Sequence, residues 1–273
     1  MQRNADDEVS NIITLKIILK MKTLIRILLM LFVSLQAFGW GQTGHRAMGL
    51  LAEKHLSKKA RKELNRILKG ESIAMTSTWM DEIRSDTSFR YSYDWHWVTV
   101  PDGQTYEQSE KNPKGDVIAA IEQIIAELKS GKFSGKEEMI RVKMLVHLVG
   151  DIHQPLHVGI GPDRGGNNVK VMWFRADSNL HRVWDSEMID DKNLSYTEFA
   201  NWIGSPAQND LTTWQAASVR DWAKESISYR KQVYDYGDGK MGYEYAYKYF
   251  DIVKLRIQQS GVRLAKVLNE IYG

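Results

Sequence analysis

Apolar residues recur three and four positions apart along most of the chain, which is the spacing of one face of an α-helix. Ala47, Leu50 and Leu51 predict a helix over 42–56, and Leu64, Ile67 and Leu68, closed by Gly70, predict a second over 58–69. Val117, Ile118, Ile121, Ile124, Ile125 and Leu128 predict a helix from Gly115 to Leu128, and another runs from Glu137 to Ile152. Beyond Asp210 the pattern predicts two long helices, Leu211 to Tyr236 and Tyr243 to Ile271, on either side of a glycine-rich turn. Their tryptophans and tyrosines read as core. One stretch breaks the period: in Asn168 to Phe174, Val169, Val171 and Trp173 alternate with other residues after two glycines, which predicts a short β-hairpin. The expected fold is a mostly α single domain with that one hairpin.

The first 39 residues stand apart. From Met21, Lys22 and Arg26 supply a positive start, Ile27 to Val33 is an unbroken apolar run, and Ala37-Phe38-Gly39 offers the small residues of a signal-peptide cleavage site. Residues 1–20 read as an upstream extension, with Met21 as the start, and 40–273 as the domain. A membrane anchor needs about twenty apolar residues, and Lys16, Lys20, Lys22 and Arg26 interrupt the stretch. The expectation is therefore an exported protein, periplasmic or secreted, with no stable membrane insertion after signal removal.

Composition narrows the partners. With 43% apolar and 26% charged residues, the chain suits one globular domain. Removing residues 1–39 leaves 32 Lys and Arg against 31 Asp and Glu. Phosphate affinity must then come from a local site rather than from overall charge. There is no cysteine, so neither disulfides nor a thiolate metal site is available. The pattern specifies no oligomeric state.

The candidate chemistry lies in His147-Leu-Val-Gly-Asp151-Ile-His153-Gln-Pro155-Leu-His157. His147 and Asp151, four apart, project from one face of a helix and can share or neighbour a cation. Pro155 ends the helix near Gln154, so His157 returns from the following loop. A buried helix with a few satisfied polar groups would explain any single histidine. It does not explain the cluster, because His181 and Asp185 repeat the four-residue spacing and Asp81 and His96 stand upstream. Imidazole and carboxylate donors without thiols suit hydrolytic zinc.

With Trp40-Gly-Gln-Thr-Gly-His45 added, these segments form an ordered set: Thr78-Trp-Met-Asp81-Glu-Ile-Arg84, Trp95-His96-Trp97-Val98, the 147–157 stretch, Gly165-Gly-Asn167-Asn168, and His181 to Asp185. In this order the chain resembles the S1/P1 nuclease family, whose helical single-domain fold is shared with zinc-dependent phospholipase C. The resemblance implies three zinc ions: one on Asp81, His96, His147 and Asp151, a second on His45 with the amino nitrogen and carbonyl of Trp40 and a bridge from Asp151, and a third on His157, His181 and Asp185. His55 reads as a surface or core histidine. His153 reads as packing, with a role in orienting a ligand as its alternative.

The implied activity is endonucleolytic hydrolysis of single-stranded DNA or RNA to 5′-phosphate products, with 3′-nucleotidase activity as a possible companion. Asp81 would orient or deprotonate water and Arg84 would face the phosphate charge; the plain alternative for Arg84 is an ion pair with Glu82 or Asp86. Trp97 is the candidate stacking face for a base, or core packing, and Asn167 or Asn168 the candidate polar contact. Thr99 stands where fungal members carry an acid, which leaves base preference open. Two other functions fit parts of the pattern: a zinc-dependent phospholipase C and a non-catalytic zinc-binding protein. The Trp40 to His45 spacing and Asp185 speak against the first, and Arg84 against the second.

Overall fold

From Val142 to His153 every residue of the helix Gly135–His153 is buried, Lys143 included, as befits a helix packed on all sides. The structure is a computed structural model that describes residues 40–273; the signal-peptide reading and the start at Met21 lie outside the described residues. In chain order the helices are α1 (Gln42–His55), α2 (Lys58–Ile67), α3 (Ile73–Thr76), α4 (Trp79–Glu82), α5 (Val117–Lys129), α6 (Gly135–His153), α7 (Tyr196–Ile203), α8 (Gln208–Ala216), α9 (Val219–Ser228), α10 (Arg230–Val233) and α11 (Tyr243–Tyr272). An irregular helical stretch over 180–190, ahead of α7, holds a π-helical turn, Val183–Glu187. The fold is mostly α, as expected.

Helix α6 is the axis of the core, with α5, α9 and α11 packed on it, while α1 packs on α11, α3 and α7. Burying Leu145, Val149 and Ile152 of α6 stabilises the fold by about 1.5–3 kcal/mol for each side chain. Two glycines permit the close approach of α1 to its neighbours. A Cβ at Gly49 would stand 2.6 Å from the Ala74 Cα, and one at Gly261 would stand 2.8 Å from the Leu51 Cβ.

Small strands join segments that are distant in sequence. Strands β1 (Val98–Thr99) and β2 (Val158–Gly159) pair in parallel, Val98 opposite Val158, which brings the residues after His96 beside those after His157. Arg230 of α10 donates to the carbonyls of Val100, at 2.8 Å, and Val158, at 2.9 Å, and so locks this pair. The hairpin consists of β3 (Lys170–Trp173) and β4 (Ala176–Asn179). It extends past the expected Asn168 to Phe174 segment, which holds only its first strand and the start of its turn.

Two further differences have clear causes. The expected helix Leu211 to Tyr236 is three helices, because Ala217 is extended and Ser218 starts α9 with a capping box in which Ser218 and Asp221 satisfy each other's backbone N–H. Within the glycine-rich turn, β5 (Lys240–Met241) pairs in parallel with β3. Two residues carry too little pattern to reveal a strand.

Candidate metal centre

The sequence separates its acids and histidines by up to 140 residues, and the fold brings them into three groups whose ligand atoms lie within 4.8 Å of one another: His45, His147 and Asp151; Asp81, His96 and His147; His157, His181 and Asp185. α1 supplies His45, the α4 turn Asp81, the 3-10 helix Thr87–His96 its last residue, and α6 supplies His147 and Asp151. The 3-10 turn Pro155–His157 returns His157 to the group that His181 and Asp185 form across the π-helical turn.

Asp151 lies between two groups. Its Oδ2 stands 2.9 Å from His96 Nδ1 and 3.2 Å from His147 Nε2, and its Oδ1 stands 3.3 Å from His45 Nε2. One carboxylate oxygen therefore faces each side. In the third group His181 Nε2 is 3.0 Å and His157 Nε2 3.8 Å from Asp185 oxygens. A tetrahedral zinc with bonds of about 2.0–2.1 Å sets its donors about 3.3 Å apart, so these separations fit donors converging on a cation.

Backbone carbonyls decide which ring nitrogen faces inward. His147 Nδ1 donates to the Ser77 carbonyl at 2.7 Å, and His157 and His181 Nδ1 donate to the carbonyls of His96 and Gly165 at 2.6 Å each. A carbonyl only accepts, so Nδ1 carries the proton and Nε2 turns its lone pair to the group. Gly165 has to be glycine: its φ is +61° and a Cβ would stand 2.4 Å from the Leu156 carbonyl oxygen.

Burial and charge sharpen the fit. His45, His147 and Asp151 are fully buried. Both ring nitrogens of His45, Asp81 Oδ1 and Asp151 Oδ1 have no hydrogen-bond partner, at a cost of about 1–3 kcal/mol each. Cations in the two groups would satisfy His45 Nε2, Asp151 Oδ1 and Asp81 Oδ1. Burial lowers the His45 pKa to about 4, assisted by His147, and burial likewise lowers that of His96. Burial opposes charge on His147 too, yet Asp151 and Asp81 outweigh it and raise its pKa to about 9. Burial also disfavours the Asp151 anion, but His147 and His157 hold it ionised, well below the usual carboxylate range. Burial raises Asp185. The strongest attraction for a cation is thus at the shared carboxylate.

The remaining candidates occupy distinct places. Trp40 is fully buried, and the following Gly41 N–H donates to the Asp185 carbonyl at 2.6 Å. Arg84 Nη1 lies 3.9 Å from Asp81 Oδ1, and its guanidinium is 5.4 Å from the Tyr93 ring centre. Glu82 accepts from the Thr78 hydroxyl and Asp86 from the Ser88 N–H and hydroxyl. Trp97 is half-buried and lines a cavity of about 320 Å³ with Thr99, Lys111 and Asp116. The Asn167 side chain donates to the Arg164 carbonyl at 2.9 Å and the Asn168 N–H to that of Asp163 at 3.0 Å, so both close the loop that presents Gly165. His55 is partly buried outside the groups. His153 Nδ1 donates to the Val149 carbonyl and its Nε2 accepts from Arg263 at 2.9 Å, which fastens α6 to α11.

Two contributors carry no metal-ligand signature in sequence. Gln154 donates to Asp185 Oδ1 while its own oxygen accepts from the Leu156 N–H, so it joins the end of α6 to the third group. Gly150 leaves room for His45, whose ring atoms would lie 2.7 Å from a Cβ there. A glycine inside a helix, where it costs about 1 kcal/mol against alanine, was the available signal.

Comparison with known proteins gives a consistent result. A family model described as S1/P1 Nuclease matches residues 40–273. Endonuclease 1 of Arabidopsis thaliana is 31% identical, over 85% of this chain and 87% of that protein. Endonuclease 2 of the same plant is 29% identical over 89% and 94%. Nuclease P1 of Penicillium citrinum is 26% identical over 86% and 98%.

Proposed function

The chain belongs to the S1/P1 nuclease family and hydrolyses phosphodiester bonds, and from that premise we propose that it cuts single-stranded nucleic acid to 5′-phosphate products at a trinuclear zinc centre, with 3′-nucleotides as further substrates. The observation that carries this reading is the Asp151 carboxylate, buried and anionic, with one oxygen toward His96 and His147 and the other toward His45.

In this proposal Asp81, His96, His147 and Asp151 hold one ion. His45 and Asp151 hold a second, with the amine and carbonyl of Trp40 after cleavage behind Gly39, and His157, His181 and Asp185 hold the third. Zinc in these places supplies acidified water and positive charge for the phosphate oxygens. Everything else falls to the protein. Asp81 orients or deprotonates the attacking water. The Arg84 guanidinium faces the charge that develops on phosphate, a reading supported by its 3.9 Å separation from Asp81 Oδ1. Trp97 stacks the base on the 3′-oxygen side, and Asn167 and Asn168 contact base or phosphate. Unpaired bases can enter such a site without first being unstacked from a duplex.

Among the described residues no helix is long and apolar enough to cross a membrane. We place the working protein beyond the inner membrane, exported by the signal segment before Trp40.

The test is direct. Purified protein starting at Trp40 is expected to bind three zinc ions and to leave 5′-phosphate and 3′-hydroxyl ends on a single-stranded oligonucleotide, and chelation is expected to abolish cutting. A stoichiometry of one, or 3′-phosphate ends, rejects the proposal. Arg84→Ala is expected to keep three zincs while kcat falls about tenfold or more, a loss of about 1.4 kcal/mol of transition-state stabilisation. Unchanged turnover would return Arg84 to a surface ion-pair role.

A further inference from the structure

Trp97 has extended backbone angles, φ −145° and ψ 166°, where the 3-10 helix ending at His96 stops. Trp97 lines the cavity of about 320 Å³ already described. His96 lines another, of about 480 Å³, together with Arg84, Arg90, Tyr93 and Lys114. That volume lies within the range of roughly 300–1,000 Å³ typical of small-molecule sites. The reacting centre therefore opens on the larger cavity through His96 and Arg84, and Trp97, next in the chain, lines the smaller.

The larger cavity has the chemistry of a nucleotide site. Tyr93 is 50% exposed, packs its edge on Trp97 at 5.7 Å, and carries the Arg84 guanidinium 5.4 Å from its ring centre. An exposed ring beside a cation offers a base a stacking face. Two acids share the lining, and both have local partners. Asp86 accepts from Ser88, and Asp94 accepts from the Asn112 amide at 3.0 Å with the Lys114 ammonium at 4.0 Å. Arg90 is exposed, with no hydrogen bond or ion pair among the described residues.

We propose that this cavity is a second nucleotide subsite. It takes the nucleoside joined through its 5′ oxygen to the scissile phosphate, with its base on Tyr93 and its next phosphate toward Arg90 and Lys114. The inference rests on the nuclease reading, in which the 3′-oxygen nucleoside leaves from the Trp97 side. A polymer fills both cavities, whereas a substrate with nothing beyond the phosphate fills one.

Two diesters separate these cases: thymidylyl-(3′→5′)-thymidine, which with one water yields thymidine and thymidine 5′-phosphate, and thymidine 3′-(methyl phosphate), which yields thymidine and methyl phosphate. The zinc-loaded enzyme is expected to favour the dinucleotide by about tenfold in kcat/KM, near the low end of what one stacked base contributes. Tyr93→Leu is expected to lower that ratio several-fold, and Arg90→Gln, an exposed change, to lower several-fold the preference for thymidylyl-(3′→5′)-thymidine 3′-(methyl phosphate), which carries the next phosphate, over the dinucleotide. Trp97→Leu is expected to slow both substrates and to keep the ratio. A wild-type ratio near one, or a ratio untouched by Tyr93→Leu together with a second-phosphate preference untouched by Arg90→Gln, overturns the subsite. Failure of the wild type to cut either diester overturns the nuclease reading and the subsite with it.

Discussion

Asp151→Asn is expected to remove metal from two positions, lower kcat/KM by about a thousandfold, and reduce the melting temperature more than Asp185→Asn, which should empty one position. The contrast follows from geometry. Asp151 faces His96 and His147 with one oxygen and His45 with the other, at 2.9–3.3 Å, whereas Asp185 faces the histidines of one group, His157 and His181. Asparagine keeps the shape and removes the charge. Three buried imidazoles would then surround a neutral amide. Breaking a buried charged cluster costs about 3–5 kcal/mol, and lost metal binding adds directly to lost folding free energy. A thousandfold fall in kcat/KM is a separate loss, about 4 kcal/mol of transition-state stabilisation. Metal analysis of both variants, beside thermal unfolding with and without chelator, checks the prediction. Equal metal loss in the two would contradict a bridging role for Asp151.

The parts of this arrangement that were legible in sequence are those that repeat a period or a spacing. Apolar residues at helical spacing placed α1, α2, α5, α6 and α11 nearly at their observed bounds. The spacings of His147 to Asp151 and His181 to Asp185 put each pair on one face. The long helix drawn over 211–236 failed because apolar periodicity continued across Ala217, while the capping box that stops it is a matter of four polar atoms. Strand pairing between residues 98 and 158, or 173 and 241, is invisible locally because β1, β2 and β5 are two residues each.

The supporting shell was less legible than the ligands, for a physical reason. Ser77, His96 and Gly165 orient imidazoles through main-chain carbonyls, and every residue type has one. Gln154 acts through an amide that any surface glutamine also carries. The family resemblance named the candidate ligands without these partners. Their contribution appears only when 3-10 turns, a π-helical turn and two parallel strands are assembled around α6.

Gly150→Val is expected to cost more activity than any other change that leaves every proposed ligand in the sequence. A Cβ at this position would stand 2.7 Å from His45 Cε1 and Nδ1 and 3.2 Å from the Met48 methyl. His45 has no room to yield, since it is fully buried and stacks on His147 with ring centres 4.2 Å apart. The added carbons must therefore move His45 away from Asp151 or push α1 off α6. A displacement near 1 Å at a catalytic group costs about a hundredfold in rate, so a loss of that size or larger is expected, with zinc retained at the other two positions. Gly150→Ala supplies the graded comparison. It relieves the helix-interior cost of glycine by about 1 kcal/mol and adds only the first carbon, so its melting temperature should change little while activity still falls. Metal analysis, turnover and thermal unfolding of the two variants separate the effects. Full activity with three zincs in Gly150→Val would show that His45 is not held in place by this glycine.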